Sequence, residues 1–146
     1  MELCRIKTSI KDEMESYRDY HGHVAFLLSN NNKKVAYVGK SKPLPYFKNS
    51  RGACSIHAEQ CVIQNLKDDH NPYNLLVFRY NKKGEMAMSK PCRNCLKQIK
   101  KIKNISNVYY STEDGIVKEC PLDMDIHKCY QSSGYKYLYR RTHENT

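Results

Sequence analysis

Three observations predict an α/β protein. Short runs rich in Val and aromatic residues, at residues 23–28, 34–39, 75–80, 108–111 and 116–120, have the length and composition of strands. Two other stretches, 56–66 and 92–102, repeat their apolar residues at helical spacing. A chain of 146 residues encloses one core and not two independent ones, so a single domain over residues 1–146 is expected.

The elements follow in order. Thr8 or Ser9 is placed to cap a first helix, because Ile10, Met14 and Tyr17 recur at helical spacing among charged residues as far as Tyr20. The runs at 23–28 and 34–39, separated by Ser29, Asn30, Asn31 and Asn32, read as a β-hairpin. Pro43, Pro45 and Gly52 make 40–53 a loop. In the second helix Ala58, Cys61, Val62, Ile63 and Leu66 form the apolar set, which places His57 and Glu59 in its first turn. Asn71 and Pro72 break that helix before a third strand at 75–80, which ends in a turn at 81–84. Pro91 stands where a third helix begins; there Cys92, Cys95, Leu96, Ile99 and Ile102 form one stripe, with Lys97, Lys100, Lys101 and Lys103 outside it. Glu113, Asp114 and Gly115 supply the turn of a final antiparallel hairpin. Beyond Asp125 no element is readable, and the chain has no internal repeat.

Composition narrows the function classes. No run approaches the roughly 18 apolar residues of a membrane span, and residues 1–10 carry charges where a secretory signal needs an apolar stretch. An intracellular protein, cytoplasmic or nuclear and without a membrane partner, is expected. Seven Cys, in a reducing compartment, serve metals or cores rather than disulfides. The formal net charge of +10 favours phosphate-bearing partners, although a solubilising Lys-rich surface explains it equally well. Homo-oligomer and monomer are both compatible with the sequence.

The chemistry concentrates in His57-Ala58-Glu59 and, 31 residues later, Pro91-Cys92-Arg93-Asn94-Cys95. Cys92 and Cys95 at i and i+3 share one side of a helix, and a place in its first turn favours the thiolate forms that bind metal. With His57 as a third ligand, zinc keeps its fourth tetrahedral position for water, as catalysis requires. Zinc lowers the pKa of such a water from 15.7 to about 7. Glu59, two residues from His57, lies beside the metal as the group that takes the water proton and passes it on. The Cys pair alone would better suit a structural zinc knuckle or two buried thiols. Glu59 separates the two readings, because a closed structural site has no use for a carboxylate beside it.

Ser55-Ile56-His57-Ala58-Glu59 and Ser89-Lys90-Pro91-Cys92-Arg93-Asn94-Cys95-Leu96 resemble the motifs of the cytidine and deoxycytidylate deaminase superfamily, over about residues 23–120. The resemblance implies a three-layer α/β/α cytidine deaminase-like fold, with a central five-stranded mixed sheet and both zinc-bearing helices on one face. It implies hydrolytic release of ammonia from a nucleobase, cytosine to uracil in the main, with Zn2+ as cofactor. A His as first ligand resembles the deoxycytidylate, transfer-RNA and APOBEC-type branches. The antiparallel final hairpin resembles the nucleoside and toxin types instead. Where many members carry Gly-x-Asn after the second strand, this chain reads Gly39-Lys40-Ser41, and Asn49 is the candidate sugar contact in its place.

Weaker signals remain. Cys120, His127 and Cys129 are candidates for a second zinc, with Cys4 or His143 as a fourth ligand, and Cys54 and Cys61 read as core thiols. Tyr130, Tyr135, Tyr137 and Tyr139 interleave with Lys136, Arg140 and Arg141, a mix suited to single-stranded nucleic acid or to packing on the core. The charge tips the expected substrate toward cytosine in a single-stranded nucleic acid. Free cytidine or deoxycytidylate, adenosine in RNA, and a noncatalytic zinc-stabilised nucleic-acid-binding module are the alternatives.

Overall fold

The computed structural model describes residues 3–29, 31–43, 55–66 and 70–129. In it the expected strand-prone runs become a mixed sheet. Val24–Ser29 (β2) and Tyr73–Phe78 (β6) are adjacent interior strands, buried along almost their whole length, which is why they read as continuous apolar runs. β2 pairs antiparallel with β6 on one side and with Val35–Lys40 (β3) on the other. Ile105–Thr112 (β7) runs parallel to β6, and the crossover that a parallel pair needs carries the helix Arg93–Lys100 (α3). Gly115–Glu119 (β8) returns antiparallel to β7 through Glu113 and Asp114, so the final hairpin pairs as its sequence predicts. Its turn closes on Thr112, whose hydroxyl donates to Gly115 O at 2.8 Å and accepts from Asp114 N–H at 3.2 Å.

The sheet has six strands, not the expected five. The sixth is Leu3–Cys4 (β1), paired antiparallel with the outer edge of β8 at Leu3↔Val117 and Cys4↔Ile116. Two residues show no periodicity, so this strand exists only because β8 offers it an open edge. Part of the expected loop at 40–53 likewise pairs: Lys42–Pro43 (β4) lies antiparallel to Ser55–Ile56 (β5).

The first helix is shorter than its periodicity implies. It spans Thr8–Glu15 (α1) behind Lys7, so neither Thr8 nor Ser9 caps it. Ser16 Oγ donates to Glu13 O at 2.6 Å, a side-chain bond that competes with continued helix, and the chain to Tyr20 proceeds in turns. Ile10 and Met14 still face the sheet, where they meet Phe26, Leu28, Leu76 and Phe78. On the opposite face Ala58–Ile63 (α2), continued by a 3-10 turn at Gln64–Leu66, and α3 cover Ala25, Leu27, Leu75, Val77, Val108 and Tyr110. Helices on both faces make three layers, as the resemblance implies. Among the described residues, no helix is long and apolar enough to cross a membrane.

One close approach sets the position of α2. A Cβ on Gly39 would lie 2.7 Å from Ala58 O and 2.7 Å from Cys61 Cβ, so glycine is what lets the start of α2 rest on β3. At the other end of the sheet Asn32, in left-handed conformation at φ 57°, ties the β2–β3 turn inward: Asn74 donates to its side-chain oxygen at 2.8 Å, and it donates to Tyr109 OH at 3.1 Å.

Candidate metal centre

Both motifs place their functional groups where a helix starts. His57 is the N-cap of α2 in extended conformation, and its N–H donates to Gln60 Oε1 at 3.0 Å, a side-chain bond that secures the helix start. Cys92 caps α3 in the same conformation, with Pro91 ahead of it and not inside the helix. Cys95 then lies on the buried stripe with Leu96 and Ile99. The two Cys therefore come from an N-cap and the first turn, which turns both sulfurs toward His57.

His57 Nδ1 lies 3.2 Å from Cys95 Sγ and 3.5 Å from Cys92 Sγ. Tetrahedral zinc with ordinary Zn–S and Zn–N bonds would hold such atoms about 3.6 Å apart, so the donors stand close to ligand spacing. The potential ligand atoms of His57, Cys92 and Cys95 all lie within 4.8 Å of one another. Two sulfurs and an imidazole nitrogen form a donor set that suits zinc. Among the described residues no other group of three His, Cys, Asp or Glu converges in this way.

Electrostatics supports the same fit. The hydrogen bond from Cys95, more than any other influence, pushes the Cys92 thiol down to about 4, with His57 adding to it. Cys95 is pushed up, first by its bond to Cys92, then by burial and by the charge of Glu59. Left to themselves the two thiols share a proton, and one thiolate forbids the other. A divalent cation between them removes that conflict and lets both ligate as thiolates. His57 is raised by its hydrogen bond to Cys92.

Glu59 follows two residues into α2 and is only 3% exposed. Burial raises its carboxyl above the ordinary carboxylate range, while the charge of His57 and a hydrogen bond with Cys95 pull the other way. It thus adjoins the ligands without being one of the converging three.

Other sequence-predicted residues fall elsewhere. Cys120, His127 and Cys129 form no metal-binding group with one another or with Cys4 among the described residues; Cys129 is buried near the start of α3, where its carbonyl accepts from Arg93 at 3.4 Å. Cys61 is half-buried and its thiol lies 3.4 Å from Lys40 O, so it is no core thiol. Asn49, Cys54, His143 and the Tyr-, Lys- and Arg-bearing positions from 130 onward lie outside the described residues. The lysines at 97, 100, 101 and 103 lead away from the ligands, since eight residues of α-helix from Arg93 to Lys100 extend about 12 Å.

Two side chains at this end of the sheet escaped the sequence reading. Ala25 and Leu27 of β2, and Leu75 and Val77 of β6, face α2 and α3. By the two-residue alternation of strands, His23 and Arg79 continue those rows. His23 is near enough to Arg79, His57 and Cys92 for their charges to act on it, and burial first, then Arg79, pushes it down to about 4. Counting outward from the apolar rows would have singled out both residues.

No family model and no curated protein matches the sequence. Among solved structures, the chain is similar to a dCMP deaminase from the cyanophage S-TIM5 in complex with dCMP and dUMP, at 17% identity and a TM-score of 0.46, over 73% of this chain and 83% of that one.

Proposed function

We propose that this chain is a zinc-dependent hydrolytic deaminase of a nucleobase, converting cytosine to uracil with release of ammonia. The observation that carries the reading is the convergence of His57, Cys92 and Cys95, with the buried carboxyl of Glu59 beside them. His57 through Nδ1 and the two Cys through Sγ would hold the metal. Zinc bound there supplies a Lewis acid that makes water a nucleophile at neutral pH.

Glu59 does the proton work. Its carboxylate takes a proton from the attacking water and delivers it to the N3 ring nitrogen of cytosine. As C4–O forms and C4–N breaks, the same carboxylate collects the remaining proton from the new C4 hydroxyl and hands it to the departing amine. One water is consumed and one ammonia leaves. Burial, which raises the carboxyl, suits a group that must hold a proton between those two transfers. A purely structural zinc site would fill its fourth position with protein, whereas only three ligands converge among the described residues.

The base is proposed to lie in a single-stranded nucleic acid, on the strength of the +10 charge. Purified protein incubated with cytidine, deoxycytidylate, single-stranded DNA and transfer RNA should release ammonia from at least one, and metal analysis should find one zinc per chain. Zinc should be lost from Cys92→Ala and from Cys95→Ala; retention in both would defeat the ligand assignment. Zinc without ammonia from any substrate would make the chain a noncatalytic module. Oligonucleotide affinity should fall with salt at a log–log slope of about 0.7 per contacted phosphate. A flat response with rapid turnover of deoxycytidylate would move the substrate to the free nucleotide.

A further inference from the structure

We propose that Arg79 and His23 form the subsite that receives a phosphate of the nucleotide being deaminated, a step that rests on the deaminase reading. The sheet places them together. β2 and β6 pair at Ala25↔Val77 and Val24↔Phe78, so the next position outward sets His23 beside Arg79. Both continue the rows that face α2 and α3, at the end of the sheet where His57 and Cys92 stand.

Their backbones are fastened, while neither side chain has a hydrogen bond among the described residues. Arg79 N–H donates to Ser111 Oγ at 3.2 Å, and Arg79 O accepts from Ala87 N–H at 2.9 Å. His23 N–H donates to Ser41 Oγ at 3.2 Å, and His23 O accepts from Ser41 N–H at 3.0 Å. Nε of Arg79 is nevertheless buried without a hydrogen-bond partner, and the ion pair found among the described residues joins Arg18 to Glu15 instead. A buried, unpaired guanidinium donor costs stability unless a ligand satisfies it. With a neighbouring imidazole and no carboxylate paired to it among the described residues, the complementary ligand is an anion. Phosphate matches the planar, forked donors of arginine. Lys100, Lys101 and Lys103 lie at or beyond the far end of α3, away from this subsite.

The test measures binding of reaction products to the zinc-loaded protein by calorimetry, so that it does not depend on turnover. The probes are deoxyuridine, deoxyuridylate and a trinucleotide with a central uracil. The unmutated protein should bind at least one phosphate-bearing probe roughly 10- to 100-fold tighter than deoxyuridine, the range of a charge-assisted hydrogen bond. Arg79→Gln should erase that preference and leave deoxyuridine binding and zinc content in place. Arg79→Lys should keep part of it, and His23→Asn should reduce it. Loss for deoxyuridylate alone identifies a phosphomonoester; loss for the trinucleotide identifies a phosphodiester. Equal affinity of the unmutated protein for deoxyuridine and both phosphate-bearing probes overturns the proposal, even if Arg79→Gln fails to fold. So does a preference that survives Arg79→Gln, or an equal weakening of deoxyuridine. Ammonia release by the unmutated enzyme reports separately on the deaminase reading.

Discussion

On the α1 face of the sheet, Phe26 and Phe78 meet edge to face at 4.9 Å, with Tyr17 at 5.8 Å from Phe26 and Tyr80 at 6.0 Å from Phe78. On the α2–α3 face the same two strands present Leu27, Ala25 and then His23, or Leu75, Val77 and then Arg79. One face stays apolar and aromatic to its end, whereas the other turns polar where two helices begin. The first face holds the sheet together. The second spends its last row, and the N-termini above it, on groups whose burial is costly unless they bind something. Stability and chemistry should therefore separate by face.

The largest expected effect is on the chemical face. Glu59→Gln keeps the side-chain size and removes the proton shuttle, so turnover should fall by roughly 10²- to 10⁴-fold, with zinc content and melting temperature unchanged. Turnover near that of the unmutated protein would remove Glu59 from the mechanism. On the α1 face, Phe26→Ala should cost about 3–5 kcal/mol in denaturant unfolding, because Phe26 is fully buried in the aromatic cluster. The fraction still folded should keep an unaltered KM; a raised KM would mean that the faces are coupled.

Gly39→Ala tests the seam between them. The new Cβ would stand 2.7 Å from Ala58 O, so α2 must shift, at a cost of about 1–3 kcal/mol. Because α2 carries Glu59 and is capped by His57, activity should fall along with stability, unlike the Phe26 case. Unchanged activity would show that the centre tolerates movement of this helix.

The smallest effect concerns pH. His23 is held near 4 in the folded protein against 6.5 ordinarily, chiefly by burial. Between those values the unfolded chain binds the extra proton, so acidification from about 6.5 to about 4 should lower stability progressively. His23→Asn should flatten that part of the profile relative to the unmutated protein. Parallel profiles would show that the folded structure does not hold His23 neutral.

What could be read from residues alone was local. The spacing of His57-Ala58-Glu59 and Cys92-x-x-Cys95 marked the groups that converge, because each pair is ordered by a single helix start. Glu113-Asp114 between two β-prone runs made the last hairpin legible for the same reason. The sixth strand, the partnership of His23 with Arg79, and the distance of Lys100, Lys101 and Lys103 from the ligands were not legible. Each depends on which strand lies beside which, in what register, or at which end of a helix a charge falls relative to the sheet. Those relations are set by burying two apolar faces at once, a condition on the whole chain that no short window of it contains.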